Sequence, residues 1–134
     1  MSGMGKVAFA WGDGEHSFCL HIGELREFES KCDAGALEVV DRIMSRKWRV
    51  DDLREAIRLG LIGGGMTPTD AHILCVRYFD NRPKVEGVEP ALRILLAALE
   101  GEPGDPVGKE TAGKTMTEAE DASSSRPSTE PAPS

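Results

Sequence analysis

A chain of 134 residues can form one modest domain but is too short for two ordinary ones. Its formal net charge of −7 argues against a duplex-binding protein, which concentrates positive charge on one face, so nucleic acid is not a favoured partner. Three cysteines without a Cys-x-x-Cys pair, and no apolar run long enough for a signal peptide or a membrane span, predict a reduced cytoplasmic protein with no membrane contact.

The first elements are predicted to be two strands, at residues 6–11 and 15–22, joined by a turn at Gly12-Asp13-Gly14. Side chains alternate between the two faces of a strand, and each of these strands has one apolar face. The apolar faces carry Val7, Phe9 and Trp11 in the first strand and Phe18, Leu20 and Ile22 in the second. Because an isolated two-stranded ribbon is marginal in water, we expect this face to pack on helices or on another subunit.

Residues 23–101 show helical periodicity throughout, which predicts a cluster of about five short α-helices after the hairpin. The first covers 24–32, the second follows Gly35, the third begins near residue 51, the fourth covers 68–80 and the fifth covers 90–99. One stripe of the second helix is predicted to carry Leu37, Val40, Ile43 and Met44. The predicted fold class is therefore α+β, an N-terminal β-hairpin followed by helices.

The composition changes abruptly near residue 101. Residues 102–134 contain no Phe, Trp, Tyr, Leu or Ile, and the segment is acidic and rich in Pro, Ser, Thr and Ala. Such a segment cannot bury enough apolar surface to offset the entropy lost on ordering. We therefore predict a folded domain over residues 1–101 and a disordered C-terminal tail over residues 102–134.

The segment GLIGGGMT, from Gly60 to Thr67, is close to a phosphate-binding P-loop with Met66 in place of the lysine. However, the residues before it have the spacing of a helix, whereas a P-loop follows a buried strand. A helix–loop–helix explains the same residues: glycines 63 to 65 would end one helix with positive φ values, and Thr67 and Pro68 would start the next. Nucleotide binding is therefore the weaker interpretation.

The other combinations of reactive side chains are incomplete. Cys19 and His21 share a strand face, but further ligands at a familiar zinc spacing are missing. His72 and Cys75 lie three residues apart on the fourth predicted helix, where apolar neighbours favour an inert thiol. The sequence therefore predicts a protein that is not an enzyme, with no catalytic residues, no metal site and no cofactor.

The segment 42–49, RIMSRKWR, is the one basic stretch that contains an aromatic residue. Its Trp48 has three candidate roles: stacking on a nucleic-acid base, anchoring a protein partner, or packing between the second and third helices. Packing is the default role for an aromatic side chain, and the other two stay open as alternatives.

The fourth and fifth predicted helices are more hydrophobic than a domain of about 100 residues can readily bury. The fourth is apolar on nearly every side, and the fifth has a wide leucine stripe. Together they predict a surface that binds another chain. The residues expected to line or support it are Leu74, Tyr78, Phe79, Leu92, Leu95 and Leu96, with Trp48 as an outlying anchor.

Two sequence blocks resemble a known family. They are Leu20-x-Ile22-Gly23-x-Leu25-x-x-Phe28-Glu29, and Val50-Asp51-Asp52-Leu53-x-x-x-Ile57-x-x-Gly60-Leu61-x-Gly63-Gly64-Gly65 followed by Thr69-Asp70-Ala71. Over residues 5–100 this pattern is similar to the small gene transfer agent and prophage proteins that are encoded between the tail tube and the tape measure, the phage tail assembly chaperone type.

The resemblance implies a protein-binding role in virion assembly, without catalysis or cofactor. Chaperones of this type coat the long helical tape measure protein while tail tube subunits polymerise around it. The implied partners are therefore the tape measure protein, the tail tube protein or both, and a homo-oligomer is also compatible. The alternative is a structural tail tube component of the particle, although a tube needs more strand than one hairpin. A small nucleotide- or DNA-binding regulator is the second alternative.

Overall fold

The structure, a computed structural model, describes residues 5–101. Its strands are β1 (Lys6–Trp11) and β2 (Gly14–Cys19), and its helices are α1 (Ile22–Cys32), α2 (Ala36–Met44), α3 (Val50–Gly63), α4 (Pro68–Cys75) and α5 (Val88–Glu100). A π-helical turn, Val76–Asp80, continues α4, and a 3₁₀ turn, Lys84–Gly87, precedes α5. The predicted α+β class with a hairpin and five helices is confirmed. The predicted tail, 102–134, lies outside the described residues.

β1 and β2 pair along their whole length in one continuous antiparallel register. The turn between them consists of Gly12 and Asp13. Gly12 has a φ of 68°, which the first central position of a type II′ turn requires. A β-carbon at Gly12 would also strike the ring of Tyr78, which lies against the turn. Both the backbone conformation and the packing therefore require glycine at this position.

The apolar face of the hairpin packs on α3 and α5. Val7 and Phe18 lie opposite each other in the register, and both are buried. The ring of Phe9 stacks on that of Phe18 with their centroids 4.4 Å apart, and Trp11 meets Phe18 edge-on at 6.4 Å. The expectation that this face would pack on helices is therefore confirmed.

The second strand ends earlier than predicted, because α1 begins at Ile22. His21 is the N-cap of this helix. The Glu24 carboxylate accepts a hydrogen bond from the His21 backbone N–H at 3.0 Å and lies 3.2 Å from its imidazole Nδ1. This capping box fixes the start of the helix. Ile22 is consequently exposed, and the prediction that it belongs to the apolar strand face is wrong.

α2 buries only part of the predicted stripe. Its buried residues are Ala36, Val39, Val40 and Ile43, whereas Leu37 and Met44 are exposed. Of the four residues predicted to share one stripe, the core therefore covers only Val40 and Ile43. Six apolar residues spread over roughly 160° of the helix circumference, so periodicity alone does not determine which part of that arc faces the core.

The C-terminus of α3 lies directly on the backbone of β2. A β-carbon at Gly63 would overlap the carbonyl oxygen of Cys19, and one at Gly64 would overlap that of Ser17. Only Gly65 of these three glycines has a positive φ, at 117°. The prediction of positive φ is therefore wrong for Gly63 and Gly64, which are needed instead for the close approach of helix and strand.

The predicted start of α4 is confirmed. The Thr67 hydroxyl oxygen accepts a hydrogen bond from the Asp70 N–H at 3.2 Å, and Pro68 occupies the first turn. The regular helix ends at Cys75, and the π-helical turn completes the segment predicted as helix. Arg54 of α3 holds this turn with two hydrogen bonds to the Asp80 carboxylate, at 2.9 and 3.1 Å, and these bonds lower the pKa of Asp80.

A buried ion pair joins the first three helices. The Asp52 carboxylate, which is fully buried, accepts a hydrogen bond from the Arg42 guanidinium at 3.1 Å and one from the Arg49 N–H at 2.8 Å. The same guanidinium nitrogen donates to the Cys32 carbonyl oxygen at 3.3 Å. Arg42 therefore links the end of α1 and the start of α3 to α2.

The substitution Gly63→Ala tests the contact between α3 and β2. Its methyl group would meet a backbone carbonyl that cannot rotate away, so we expect a loss of about 3 kcal/mol or more in the free energy of unfolding, measured by urea denaturation. The matched control is Gly23→Ala in the first turn of α1, where the added carbon meets nothing within 4 Å. Similar losses for both variants would contradict the close approach.

Candidate partner-binding site

An open apolar groove lies between the end of α2 and the start of α5 and has a volume of about 520 Å³. It is lined by Ile43, Met44, Arg46, Trp48, Val85, Val88 and Leu92. Met44 is 67% exposed and Val85 is 65% exposed, which places them among the most exposed large apolar side chains of residues 5–101. We refer to this feature as the α2–α5 groove.

A sharp reversal of the chain after α2 forms one wall of the groove. The Lys47 N–H donates to the Arg42 carbonyl oxygen at 2.7 Å, and the Arg46 N–H donates to the Ile43 carbonyl oxygen at 3.2 Å. These are the two hydrogen bonds of a Schellman motif. Because the motif ends α2 abruptly, Trp48 is brought back beside the last turn of that helix.

Arg46 occupies a backbone conformation that usually selects glycine. Its φ is 63°, in the left-handed region, at the position where a Schellman motif most often has glycine. A non-glycine residue in this region costs about 1 kcal/mol. Arg46 lines the groove. The strained backbone therefore lies at this surface and not in the core of the domain.

The 3₁₀ turn before α5 forms the opposite wall and presents Val85. Gly87 in this turn is buried, and the Phe79 ring lies where a β-carbon of Gly87 would be. The Lys84 ammonium donates hydrogen bonds of 2.8 Å to the carbonyl oxygens of Asp80 and Arg82. Lys84 and Gly87 thus fix the 3₁₀ turn to the π-helical turn. Val85, which lies between them, remains exposed to solvent.

The apolar surface continues beyond the groove along both helices. Leu37 precedes Met44 by seven residues and therefore lies on the same face of α2. On α5, Leu96 and Leu99 follow Leu92 by four and seven residues, and Leu99 is 38% exposed. From Val88 to Leu99 the α5 stripe extends for about 16 Å, the length of three helical turns.

The structure brings together only part of the predicted partner surface. Trp48 and Leu92 line the same groove, so Trp48 is not an outlying residue, and Leu96 is half-buried one turn farther along α5. Leu74, Phe79 and Leu95 are buried in the core of the domain, where they could only support a binding surface from below.

Tyr78 lies apart from the groove. Its ring meets Trp11 edge-on at a centroid distance of 6.0 Å, beneath the hairpin turn. Leu74 and Cys75 of α4 are buried in the domain's own core, whereas Ile73 is 40% exposed. The core thus covers one side of this helix, and binding of another chain to its remaining apolar surface stays a prediction.

The sequence did not indicate that three of the groove residues are exposed. Met44 shares a helical stripe with Val40 and Ile43, which are buried, and Val85 and Val88 lie in a segment without clear periodicity. The sequence does contain Pro83 followed by Val85 and Val88, which are three residues apart. This spacing is compatible with a short helical turn that presents both valines on one side.

The cysteines are poor nucleophiles. Burial raises the pKa of Cys32 to about 12 and that of Cys75 to about 11, and burial also raises the pKa of Cys19. The Cys19 sulfur lies 3.5 Å from Nε2 of His21. Within residues 5–101, no three His, Cys, Asp or Glu side chains come together as metal ligands.

The glycine-rich segment has no backbone donors available for a phosphate. The N–H groups of Gly64, Gly65 and Met66 all donate to carbonyl oxygens of α3, at 2.9 to 3.1 Å. A P-loop needs such groups to point at its ligand. The helix–loop–helix interpretation is confirmed. In the part of the chain that the structure describes, no helix is long and apolar enough to cross a membrane.

In the comparison with protein families, the model described as phage tail tube protein, GTA-gp10, matches residues 4–101. Comparisons with curated proteins and with solved structures give no match. The matched region contains the hairpin, all five helices and the α2–α5 groove. It agrees with the resemblance to gene transfer agent and prophage tail proteins noted in the sequence. The chain therefore belongs to the family of phage tail tube protein, GTA-gp10, and its function is related to the tail of a phage or gene transfer agent.

Proposed function

We propose that the chain is a tail assembly chaperone, a non-catalytic protein that binds the tape measure protein, the tail tube protein or both in the cytoplasm. The observation that carries the proposal is the α2–α5 groove. Its exposed apolar residues, Met44 and Val85, have no covering partner among residues 5–101. Exposed apolar patches of this kind typically mark sites of protein–protein contact.

The shape of this surface suits an amphipathic helix. Parallel to the axis of α5 it presents apolar residues for about three turns, which matches side chains at positions i, i+3, i+4 and i+7 of a bound helix. Arg46 lines one end of the groove, and Lys47 and Arg49 flank Trp48 in the same loop. A helix with an apolar stripe and acidic residues near one end would complement both features.

The groove also contains the residue types that dominate binding energies. Trp and Arg are enriched among interface residues whose truncation strongly weakens binding, and here Trp48 and Arg46 line the same surface. A strained backbone is often retained where it serves function, and the left-handed conformation of Arg46 fits that pattern.

A structural tail tube component is the second candidate, and the family description supports it. A subunit of this kind would be present in finished particles in a fixed number per ring, whereas a chaperone would be absent from them. Quantitative mass spectrometry of purified particles distinguishes the two. We expect the chain to be present at far less than one copy per tube subunit, and a ring-like stoichiometry would reverse this ranking.

The groove is tested by co-expressing the full chain with the tape measure protein of the same phage or gene transfer agent and measuring how much complex co-purifies. We expect Met44→Glu and Val85→Glu each to reduce recovery at least about tenfold, because each places a charge against apolar surface that binding would bury. Ile22→Glu is the matched control, since Ile22 is also 65% exposed but lies outside the groove.

Equal recovery with the Met44→Glu, Val85→Glu and unaltered chains would contradict the use of this groove. Repeating the assay with the tail tube protein in place of the tape measure protein shows which of the two proposed partners depends on it.

Arg46 allows stability and binding to be separated. We expect Arg46→Gly to raise the free energy of unfolding by roughly 1 kcal/mol, because glycine adopts the left-handed conformation without strain. The same variant should bind the tape measure protein more weakly, because it loses the guanidinium at the groove. Thermal unfolding and co-purification measure the two effects. A variant that is more stable and binds unchanged would show that Arg46 is not part of the binding surface.

A further inference from the structure

The two outer edges of the β-hairpin differ. In an antiparallel ribbon, hydrogen-bonded pairs alternate with non-hydrogen-bonded pairs, and the two residues that flank a two-residue turn form a hydrogen-bonded pair. The backbone groups of Trp11, Phe9 and Val7 therefore point towards β2. Those of Lys6, Ala8 and Ala10 point away from it, along the outer edge of β1.

The outer edge of β2 is covered, and that of β1 is open. Gly63 and Gly64 of α3 lie against the outward carbonyl groups of Cys19 and Ser17, as the alternation requires. By contrast, no backbone group of residues 5–101 outside the hairpin bonds to Ala8 or Ala10. An open cavity of about 280 Å³ adjoins Ala10 at this edge, between the end of β1 and the start of α5.

The β1 edge lacks the features that usually prevent strand pairing. Natural edge strands are protected by proline, by bulges, by inward-pointing charges or by covering loops. Here the register has no bulge, and Ala8 and Ala10 are small and exposed. The one charged residue of the strand is Lys6, at its start. The edge thus has no proline or bulge of its own, and the cavity beside Ala10 is lined by the charged side chains of Glu86, Glu89 and Arg93.

We infer that β1 pairs antiparallel with β1 of a second copy of this chain, forming a four-stranded sheet across a two-fold axis. In this register Ala8 lies opposite Ala8 of the second copy, and Lys6 lies opposite Ala10. All three outward residues of each strand then form hydrogen-bonded pairs, which gives about six backbone hydrogen bonds. The interface is isologous, so each copy contributes the same residues.

The charges on the solvent face identify a second copy as the occupant. Glu15 lies opposite Ala10 within the hairpin, and Lys6 of the second copy lies on the other side of Ala10, on the same face. With strands about 4.8 Å apart, the Lys6 and Glu15 backbones are about 10 Å apart, with only the alanine methyl between them. The long lysine side chain can therefore reach the carboxylate, and the two-fold axis generates this pair twice.

This charge match exists only between copies. Within one chain Lys6 lies opposite Cys19 of β2. Glu15 is four residues from Cys19 along the same strand, so the Lys6 and Glu15 backbones are separated by roughly 13 Å in the strand direction. The interface does not use the α2–α5 groove, which is lined by other residues. The inference therefore goes beyond the proposed function and does not depend on it.

The test measures the mass of the full chain by sedimentation equilibrium over a roughly hundredfold range of concentration. We expect a reversible dimer that dissociates on dilution. Ala8→Pro should abolish it, because the proline ring blocks an N–H that points outward while leaving the bonds within the hairpin intact. An unchanged circular dichroism spectrum and melting temperature would confirm that this variant is folded.

A charge exchange makes the test specific for the register. Lys6→Glu and Glu15→Lys should each weaken the dimer roughly tenfold, because two attractive pairs become repulsive. The double variant Lys6→Glu/Glu15→Lys should regain the dimer, and an equimolar mixture of the two single variants should form a heterodimer. A stability effect within one chain would produce neither result.

Three outcomes would overturn the inference. A wild-type chain that stays monomeric over the whole range would show that β1 does not pair with a second copy. A dimer that survives Ala8→Pro would place the interface elsewhere. Failure of the double variant to regain the dimer would exclude this register.

Discussion

The close contact between the end of α3 and the backbone of β2 is the constraint on which the rest of the structure depends. A two-stranded hairpin has little stability alone, and here two successive glycines allow a helix to lie on its edge without intervening side chains. α3 also packs against α1, α4 and α5, so it connects the hairpin to three of the other helices. The Arg42–Asp52 ion pair then joins α2 to the start of α3. α3 thus covers one edge of the hairpin, and the β1 edge and the α2–α5 groove are two surfaces that residues 5–101 leave open.

These two surfaces suit different partners. The groove is apolar, lies between two helices and is lined by one cationic residue, Arg46, so it suits a helix. The β1 edge presents backbone donors and acceptors, so it suits a strand. A chain that binds a long helical protein through the groove and a second copy through β1 would place two groove sites in one unit. Linked sites on one long partner bind more tightly than single sites, provided that their spacing matches the partner. Weak groove contacts would then be sufficient for a protein that must later be released.

Local signals in the sequence predicted the fold class well. The Gly12-Asp13 turn and the Thr67-Pro68 start of α4 depend on neighbouring residues only, and the structure has both. The sequence did not predict the outward position of Met44, because the wide apolar arc of α2 leaves its rotation to be set by α5 and α1. It also did not predict why Gly63 and Gly64 are glycines, since this depends on a strand more than forty residues earlier in the chain. Val85 could not be identified because a four-residue 3₁₀ turn has no detectable period.

The covered edge of β2 bears on the choice between assembly factor and tube subunit. A wall built by strand addition must extend its sheet in both directions, so each subunit needs two free edges. In this fold α3 covers one edge through Gly63 and Gly64, which lie directly against the carbonyl groups of Cys19 and Ser17. If β1 pairs with β1 of a second copy, the interface is isologous and closes at two copies. A place in a tube wall would then depend on contacts other than strand addition. The same limit suits a small unit that binds a helical partner and does not polymerise by itself.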